Sequence, residues 1–188
     1  MEVTALELPG ACLLKPKRFS DARGFFVEQY NKKVLATHGL HYDFIQDNLS
    51  RTMRSGTIRG LHFQAPPAAQ TKLISVLSGA VLDVLVDIRA GSPTYGRHVA
   101  VELSAENGMQ ALVPRGFAHG FCTLSDDSLV QYKVDAHYDR ERDLGLLWND
   151  SDLGIRWPVA PEAAILIEKD KNHPRLRDLP RYFEWTEN

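Results

Sequence analysis

The stretch Ala80-Val81-Leu82-Asp83-Val84-Leu85-Val86-Asp87-Ile88-Arg89 decides the fold class. Leu82, Val84, Val86 and Ile88 fall on one face of an extended chain, and Asp83, Asp87 and Arg89 fall on the other. A helix would scatter these positions around its axis, whereas a strand turns successive side chains to opposite faces. The alternation predicts a half-buried strand with its apolar face toward the core. Asp83 and Asp87 read as structural charges and are assigned no chemistry. Just upstream, Leu73, Ser75 and Leu77 alternate with Lys72, Ile74 and Val76, and Ser78-Gly79 supplies a hairpin turn between the two runs.

Outward from this hairpin, short apolar runs at 24–30, 44–48, 57–63, 98–103, 110–113, 117–124 and 129–138 read as further strands, punctuated by Gly, Pro, Asn and Asp. Repeated short strands suggest a sandwich or barrel rather than a parallel sheet. Helical pattern is scarce. Residues 31–37 fit two turns ended by Gly39, and 161–169 fit a short helix that Pro174 would stop. The last fifteen residues hold Pro174, Pro180, Tyr182, Phe183 and Trp185 and read as a tail packed on the domain.

The 188 residues suit one domain spanning 1–188, and 44% hydrophobic content is enough for a sizeable core. A net charge of -2 argues against nucleic acid as partner, so an anionic ligand would have to be met by a few placed Arg and Lys side chains. Cys12 and Cys122 are too few for a disulfide framework and read as small core residues. Residues 1–8 carry two glutamates and no long apolar run, so no signal peptide is expected. No run approaches the ~20 apolar residues of a membrane span. The expected location is the cytoplasm.

Two histidines sit on expected strands, His62 in Gly60-Leu61-His62-Phe63-Gln64 and His119 in Pro114-Arg115-Gly116-Phe117-Ala118-His119-Gly120-Phe121. Histidines in a small barrel raise the possibility of a metal. A metal-binding cupin would carry a further histidine where Gln64 stands and a carboxylate near Lys72, and a protonated lysine repels a cation. The same residues suit proton transfer beside a ketone. A histidine titrates near neutral pH and can accept a proton, a lysine can stabilise the developing oxyanion, and Tyr132, on a face with Val130 and Val134, can return a proton. Taken singly, His62 reads as a hydrogen-bonded core residue, Lys72 as an edge charge, Tyr132 as a core aromatic and Arg23 as a turn residue.

Taken together, the motifs resemble the dTDP-4-dehydrorhamnose 3,5-epimerase family. The resemblance runs from about Arg18 to Pro174. It is carried by Asp21-Ala22-Arg23-Gly24-Phe25-Phe26-Val27-Glu28, Gln46-Asp47-Asn48-Leu49-Ser50, Gly56-Thr57-Ile58-Arg59-Gly60-Leu61-His62-Phe63-Gln64 and Gln70-Thr71-Lys72-Leu73. It continues through residues 83–89 and 92–96, 114–121, Tyr132-Lys133, Trp148-Asn149-Asp150, Ile155-Arg156-Trp157-Pro158 and Lys169-Asp170.

The resemblance implies an all-β, cupin-type double-stranded β-helix jelly roll that works as a homodimer without cofactor or metal. It implies inversion of C3 and C5 of dTDP-4-dehydro-6-deoxy-D-glucose to give dTDP-4-dehydro-L-rhamnose. His62 would be the base, oriented by Asp170, with Tyr132 as the acid and Lys72 on the enolate oxygen. Arg59 and His119 would surround the sugar and diphosphate. Arg23, Glu28, Gln46, Asn48 and Lys169 would be substrate contacts, with Tyr138 stacking on the thymine. Asp143 stands where a glutamate is expected near the nucleotide. Arg23 would reach the site from a partner subunit through exchanged N-terminal strands.

Strict alternation puts Arg59 and His62 on opposite faces of one strand, so a bulge near Gly60 is expected if both face the site. The rivals are an epimerase inverting only C3 or only C5, a cupin ketoisomerase without the Tyr132 acid, and a metal-binding oxygenase or sugar-binding module.

Overall fold

Short strands bounded by turns make up most of the regular secondary structure in the computed structural model, which describes residues 1–186. The single-domain expectation runs to Asn188, and its last two residues lie outside the described residues. The elements are β1 (Glu2–Ala5), β2 (Cys12–Lys15), β3 (Arg18–Asp21), β4 (Gly24–Val27), α1 (Lys32–Thr37), β5 (Gln46–Thr52), β6 (Ile58–Gln64), β7 (Lys72–Ser78) and β8 (Ala80–Asp87). They continue with β9 (Arg89–Ala90), β10 (His98–Ser104), β11 (Gln110–Val113), β12 (Phe117–Thr123), β13 (Ser128–Val134), β14 (Asp143–Gly145), α2 (Glu168–Lys171) and β15 (Phe183–Glu184).

Two sheets form the body. One has the order β1-β2-β11-β7-β13-β5 and the other β10-β8-β12-β6-β14. Pairings within both are antiparallel, and most neighbours are distant in sequence, so the chain alternates between the sheets as it winds. This interleaving is the expected jelly roll.

The alternating run at 80–89 does form a strand, β8, but its two faces are used the other way round. Val81 and Leu85 join Ile74, Val76, Val113, Phe121 and Val130 in the core between the sheets. Asp83 lies on that same inward face and is fully buried. Val84 and Val86 instead pack on the outer side with Leu61, Phe63 and Ala118. That side is covered by Leu144, Ile155, Trp157, Leu176, Leu179, Tyr182 and Phe183 from the C-terminal third. Each such aliphatic side chain withdrawn from water is worth roughly 1.5–3 kcal/mol. An uncovered outer face would thus cost a large share of a domain's ~5–15 kcal/mol net stability. The tail is therefore part of the fold. Phe63 meets both Tyr182 and Phe183, β15 pairs in parallel with β9, and Arg89 stacks between the Phe117 and Trp185 rings.

Helix α1 begins as its sequence implies, because the Asn31 side chain accepts from the N–H groups of Lys33 and Val34 at 2.9 and 3.3 Å. The expected helix at 161–169 is corrected to the single turn of α2. Ile165 forms a parallel bridge with Thr57, donating to Gly56 and accepting from Ile58, which holds this part of the chain extended.

The apolar N-terminal stretch also finds its place. Ala11, Cys12 and Leu14 are buried, and β2 pairs with β11 of the same chain. The unpartnered apolar surface lies instead on the β3–β4 hairpin, where Phe19, Phe25 and Phe26 are 55%, 58% and 70% exposed. Among the described residues no helix is long and apolar enough to cross a membrane.

Candidate active site

A cavity of about 570 Å³ opens between the sheets, lined by Arg59, His62, His119 and Phe121 on one wall and Lys72 and Tyr132 on the other. Ile165, held by the bridge to Thr57, and Ile167 also line it. A second hollow of about 180 Å³ shares His62, Lys72 and Tyr132 and adds Gln46, Asn48, Tyr138 and Asp143. The first lobe is of the size that holds a small organic ligand, and the three shared residues border both lobes.

Arg59 and His62 both face this space because β6 carries an extra residue. Against β12, Arg59 pairs with Phe121 and His62 with His119, so two residues of β6 oppose the single Gly120. The bulge expected near Gly60 is present. Gly60 has φ of +124°, and a Cβ there would lie 2.5 Å from Gly120 Cα, so no other residue fits. Arg59 is braced from β5, its Nε donating to Thr52 Oγ1 at 3.0 Å and a terminal nitrogen to the Arg51 carbonyl at 3.2 Å.

His62 Nε2 is 2.8 Å from Asp170 Oδ1, and the Gly60 N–H donates to Asp170 Oδ2 at 3.1 Å. Asp170 is the one buried residue of α2. Burial pushes its carboxyl pKa up, but the imidazoles of His173 and His62 and the Gly60 N–H outweigh burial and hold it well below the usual carboxylate range. An ionised carboxylate only accepts, so His62 Nε2 carries the proton and Nδ1 keeps the basic lone pair. His62, Asp170 and His173 bring their donor atoms within 4.8 Å of one another. The 2.8 Å separation of the first two is a hydrogen-bond distance. It is shorter than the ~3.3 Å that tetrahedral ligands at about 2.0–2.1 Å from zinc would require.

Lys72 is buried at the start of β7, and its ammonium donates to the His62 carbonyl at 3.3 Å. Burial lowers its pKa to about 8, partly offset by Asp143 and Asp83. Tyr132 projects from β13 in the opposite sheet from His62. Burial raises its phenol pKa, and Arg59 opposes the rise.

The remaining expected contacts divide into two groups. Gln46, Asn48, Tyr138, Asp143 and Lys169 form one hydrogen-bonded chain. Gln46 Nε2 donates to Asn48 Oδ1 at 2.9 Å and Gln46 Oε1 accepts from the Tyr138 N–H at 3.2 Å. Asp143 Oδ2 accepts from the Tyr138 hydroxyl at 3.1 Å and from Lys169 Nζ at 2.6 Å. Burial pushes the Asp143 pKa up, but Lys169 and the Tyr138 hydroxyl bring it below its ordinary value. Arg23 and Glu28 are not brought to this cavity by their own chain. Arg23 is exposed on the β3–β4 hairpin and pairs with Asp21 at 2.6 Å, and Glu28 accepts from Asn31 at 3.0 Å.

One participant was missed in sequence. Asp83 is fully buried and its Oδ1 lies 2.7 Å from His119 Nε2, forming a second histidine–carboxylate pair. The available signal was a lone carboxylate in the middle of an apolar strand, since buried charges are paired. Chemically, the cavity presents a carboxylate-backed imidazole on one wall and a phenol with an ammonium on the facing wall. That set can remove a proton next to a carbonyl, hold the enolate and return a proton from the other side.

The chain matches the family model described as dTDP-4-dehydrorhamnose 3,5-epimerase over residues 5–178. It is 45% identical to the dTDP-4-dehydrorhamnose 3,5-epimerase of Sinorhizobium fredii, covering 99% of this chain and 95% of the relative. A crystal structure of the Bacillus anthracis dTDP-4-dehydrorhamnose 3,5-epimerase with TDP and PPi bound is 52% identical, with a TM-score of 0.90 over 93% of this chain and 98% of that one. A Legionella pneumophila dTDP-6-deoxy-D-glucose-3,5-epimerase in complex with dTDP-4-keto-L-rhamnose superposes with a TM-score of 0.94 at 38% identity, covering 99% of each chain.

Proposed function

The chain belongs to the dTDP-4-dehydrorhamnose 3,5-epimerase family, and we propose that His62 and Tyr132 carry out its two inversions from opposite walls of the cavity. The enzyme is an isomerase of cupin-type jelly-roll fold that converts dTDP-4-dehydro-6-deoxy-D-glucose to dTDP-4-dehydro-L-rhamnose. The observation that carries the residue assignment is the placement of the His62–Asp170 pair on one sheet and Tyr132 on the other, across a space that both line.

The C4 ketone acidifies the protons on C3 and C5. His62 Nδ1 takes one of them, and Asp170 stabilises the imidazolium that results. The electron pair moves onto the C4 oxygen, where the Lys72 ammonium is placed to meet it. Tyr132 then delivers a proton to the other face of the carbon. The Lys72 contact strengthens as charge develops, so it lowers the barrier more than it improves binding. The same two residues serve twice if the ring shifts between steps. Each step moves only protons and leaves no net change of oxidation state, so no redox cofactor is required.

Arg59 and His119 border the first lobe and are assigned to the sugar and diphosphate, Arg59 supplying forked donors. Asn48, Gln46, Tyr138 and Asp143 border the second lobe, Lys169 joins them through Asp143, and the group is assigned to the nucleotide. Arg23 and Glu28 are assigned to the site of a second copy. The exposed phenylalanines beside them support a homodimer in which the β3–β4 hairpin crosses between subunits. A single domain and a cytoplasmic location belong to the same proposal.

The test is turnover in deuterium oxide with the product analysed by NMR. Deuterium at both C3 and C5 with inverted configuration at each is expected. Deuterium and inversion at one carbon alone would overturn the double inversion.

A further inference from the structure

His173 lines neither lobe, yet it is built onto the His62–Asp170 pair. Its Nε2 is buried without a hydrogen-bond partner and stands 3.8 Å from Asp170 Oδ1, the oxygen that His62 Nε2 approaches at 2.8 Å. The His173 ring meets the His62 ring edge-on with centroids 5.7 Å apart, and only 10% of its side chain is exposed. Two features seat it. Gly145 pairs with His62 in the ladder between β14 and β6, and a Cβ at that position would collide with the His173 ring. The following residue, Pro174, accepts from the Leu147 N–H at 2.8 Å, which fixes the segment beside β14.

A buried imidazole nitrogen without a partner is unfavourable, and its neighbour selects the form it takes. Ionised Asp170 can only accept, so the favoured tautomer of His173 carries its proton on Nε2, toward Oδ1.

We propose that His173 is a positioning residue for the epimerisation, whose Nε2–H dipole, aimed at Oδ1 from just beyond hydrogen-bond distance, draws on the charge of Asp170 and so sets the basicity of His62. The inference rests on the assignment of His62 as the base. The groups facing His62 are Asp170 from α2, Lys72 from β7, Tyr132 from β13, Asp143 from β14, His119 from β12 and His173 itself. Removing the His173 dipole leaves more negative charge on Oδ1, which stabilises the His62 imidazolium. The base must be neutral to act, so the acid limb of the kcat/KM profile moves to higher pH.

The experiment records pH profiles of kcat and kcat/KM for His173→Phe, His173→Gln and Gly145→Ala, with His62→Ala as control. In His173→Phe the acid limb is expected to move up by about half a pH unit. Its plateau kcat is expected to fall roughly three- to tenfold with KM unchanged, as for loss of a supporting contact behind a reacting group. Gly145→Ala, which displaces the ring without altering its chemistry, is expected to reproduce the shift. His173→Gln, which keeps an N–H donor, is expected to stay nearer the wild type. An unmoved acid limb and unchanged plateau kcat in both His173→Phe and Gly145→Ala, with any loss confined to Tm, would overturn the inference alone. An active His62→Ala would overturn the base assignment and the inference with it. If His173→Phe does not fold, Gly145→Ala and His173→Gln decide the matter.

Discussion

His62 with Asp170 and His119 with Asp83 are two histidine–carboxylate pairs of nearly equal length, 2.8 and 2.7 Å, on histidines directly opposite each other in neighbouring strands. They differ in what surrounds the hydrogen bond. The His62 side chain is 31% exposed to the cavity, whereas that of His119 is 8% exposed. Asp170 has its second oxygen satisfied by the Gly60 N–H, while Asp83 Oδ2 is buried without a partner. The first pair has a fully committed anion behind an accessible ring, which is what a base needs. The second has an almost fully buried ring, which suits a fixed contact to a bound group. A histidine–carboxylate bond therefore does not by itself mark a base. Access and the environment of the far oxygen do.

Replacing the two histidines in turn tests this contrast most strongly. His62→Ala is expected to abolish both inversion and solvent exchange of the C3 and C5 protons, with a loss of roughly 10²–10⁴-fold. His119→Ala is expected to raise KM roughly tenfold, the value of one hydrogen bond, while exchange continues once substrate is bound. Equal loss of exchange in both variants would make the pairs equivalent and break the comparison.

The next test separates the two walls. Tyr132→Phe keeps the ring and removes the hydroxyl. It should lose most inverted product, also within roughly 10²–10⁴-fold, yet retain some exchange through His62. Normal epimerisation by this variant would remove Tyr132 from the role of acid.

Lys72 sharpens the comparison through pH and stability. Its pKa is lowered to about 8 by burial, so the ammonium is lost as pH rises through that value. kcat/KM is expected to fall above about pH 8 in the wild type, and Lys72→Met should remove that limb along with most of the turnover. The stability effect has the opposite sign. Between about pH 8 and the usual lysine pKa the unfolded chain binds the proton and the folded chain does not, so stability contributed at this site rises with pH over that window and is lowest below pH 8. Lys72→Met should therefore stabilise the fold at pH 7, by up to ~3 kcal/mol, as read from denaturant unfolding. A destabilised variant would mean that the ammonium is part of the scaffold.

The smallest expected effect is none. If His62, Asp170 and His173 were a ligand set and not a proton-transfer group, exhaustive chelation would remove activity and one divalent metal would restore it. Unchanged activity after chelation is expected.

Much of the fold was legible because its signals are local. The alternation at 80–89, the two turns of helix at 31–37 and the need for a bulge near Gly60 can each be read within a few residues. The helix expected at 161–169 failed because a pairing to Thr57, far away in sequence, held the chain extended. Asp83 was passed over because an acidic residue on an alternating strand looks like a solvated face until something covers that face. His173 gave no signal, since its role depends on Gly145 leaving room and on Asp170 lying beside it.

The linear chain alone implies an all-β architecture, the residue types able to do proton chemistry, and the family it resembles. These follow from side-chain alternation and from motif order, both properties of the linear chain. Only the tertiary structure decided which face of β8 points inward, because both faces are apolar enough to be buried and the tail that covers one of them is remote in sequence. It also decided which carboxylate serves which histidine, because Asp170 reaches His62 across 108 residues and Asp83 reaches His119 across 36. Contacts over such separations are set by how the two sheets close on each other, and no local preference of the chain encodes that closure.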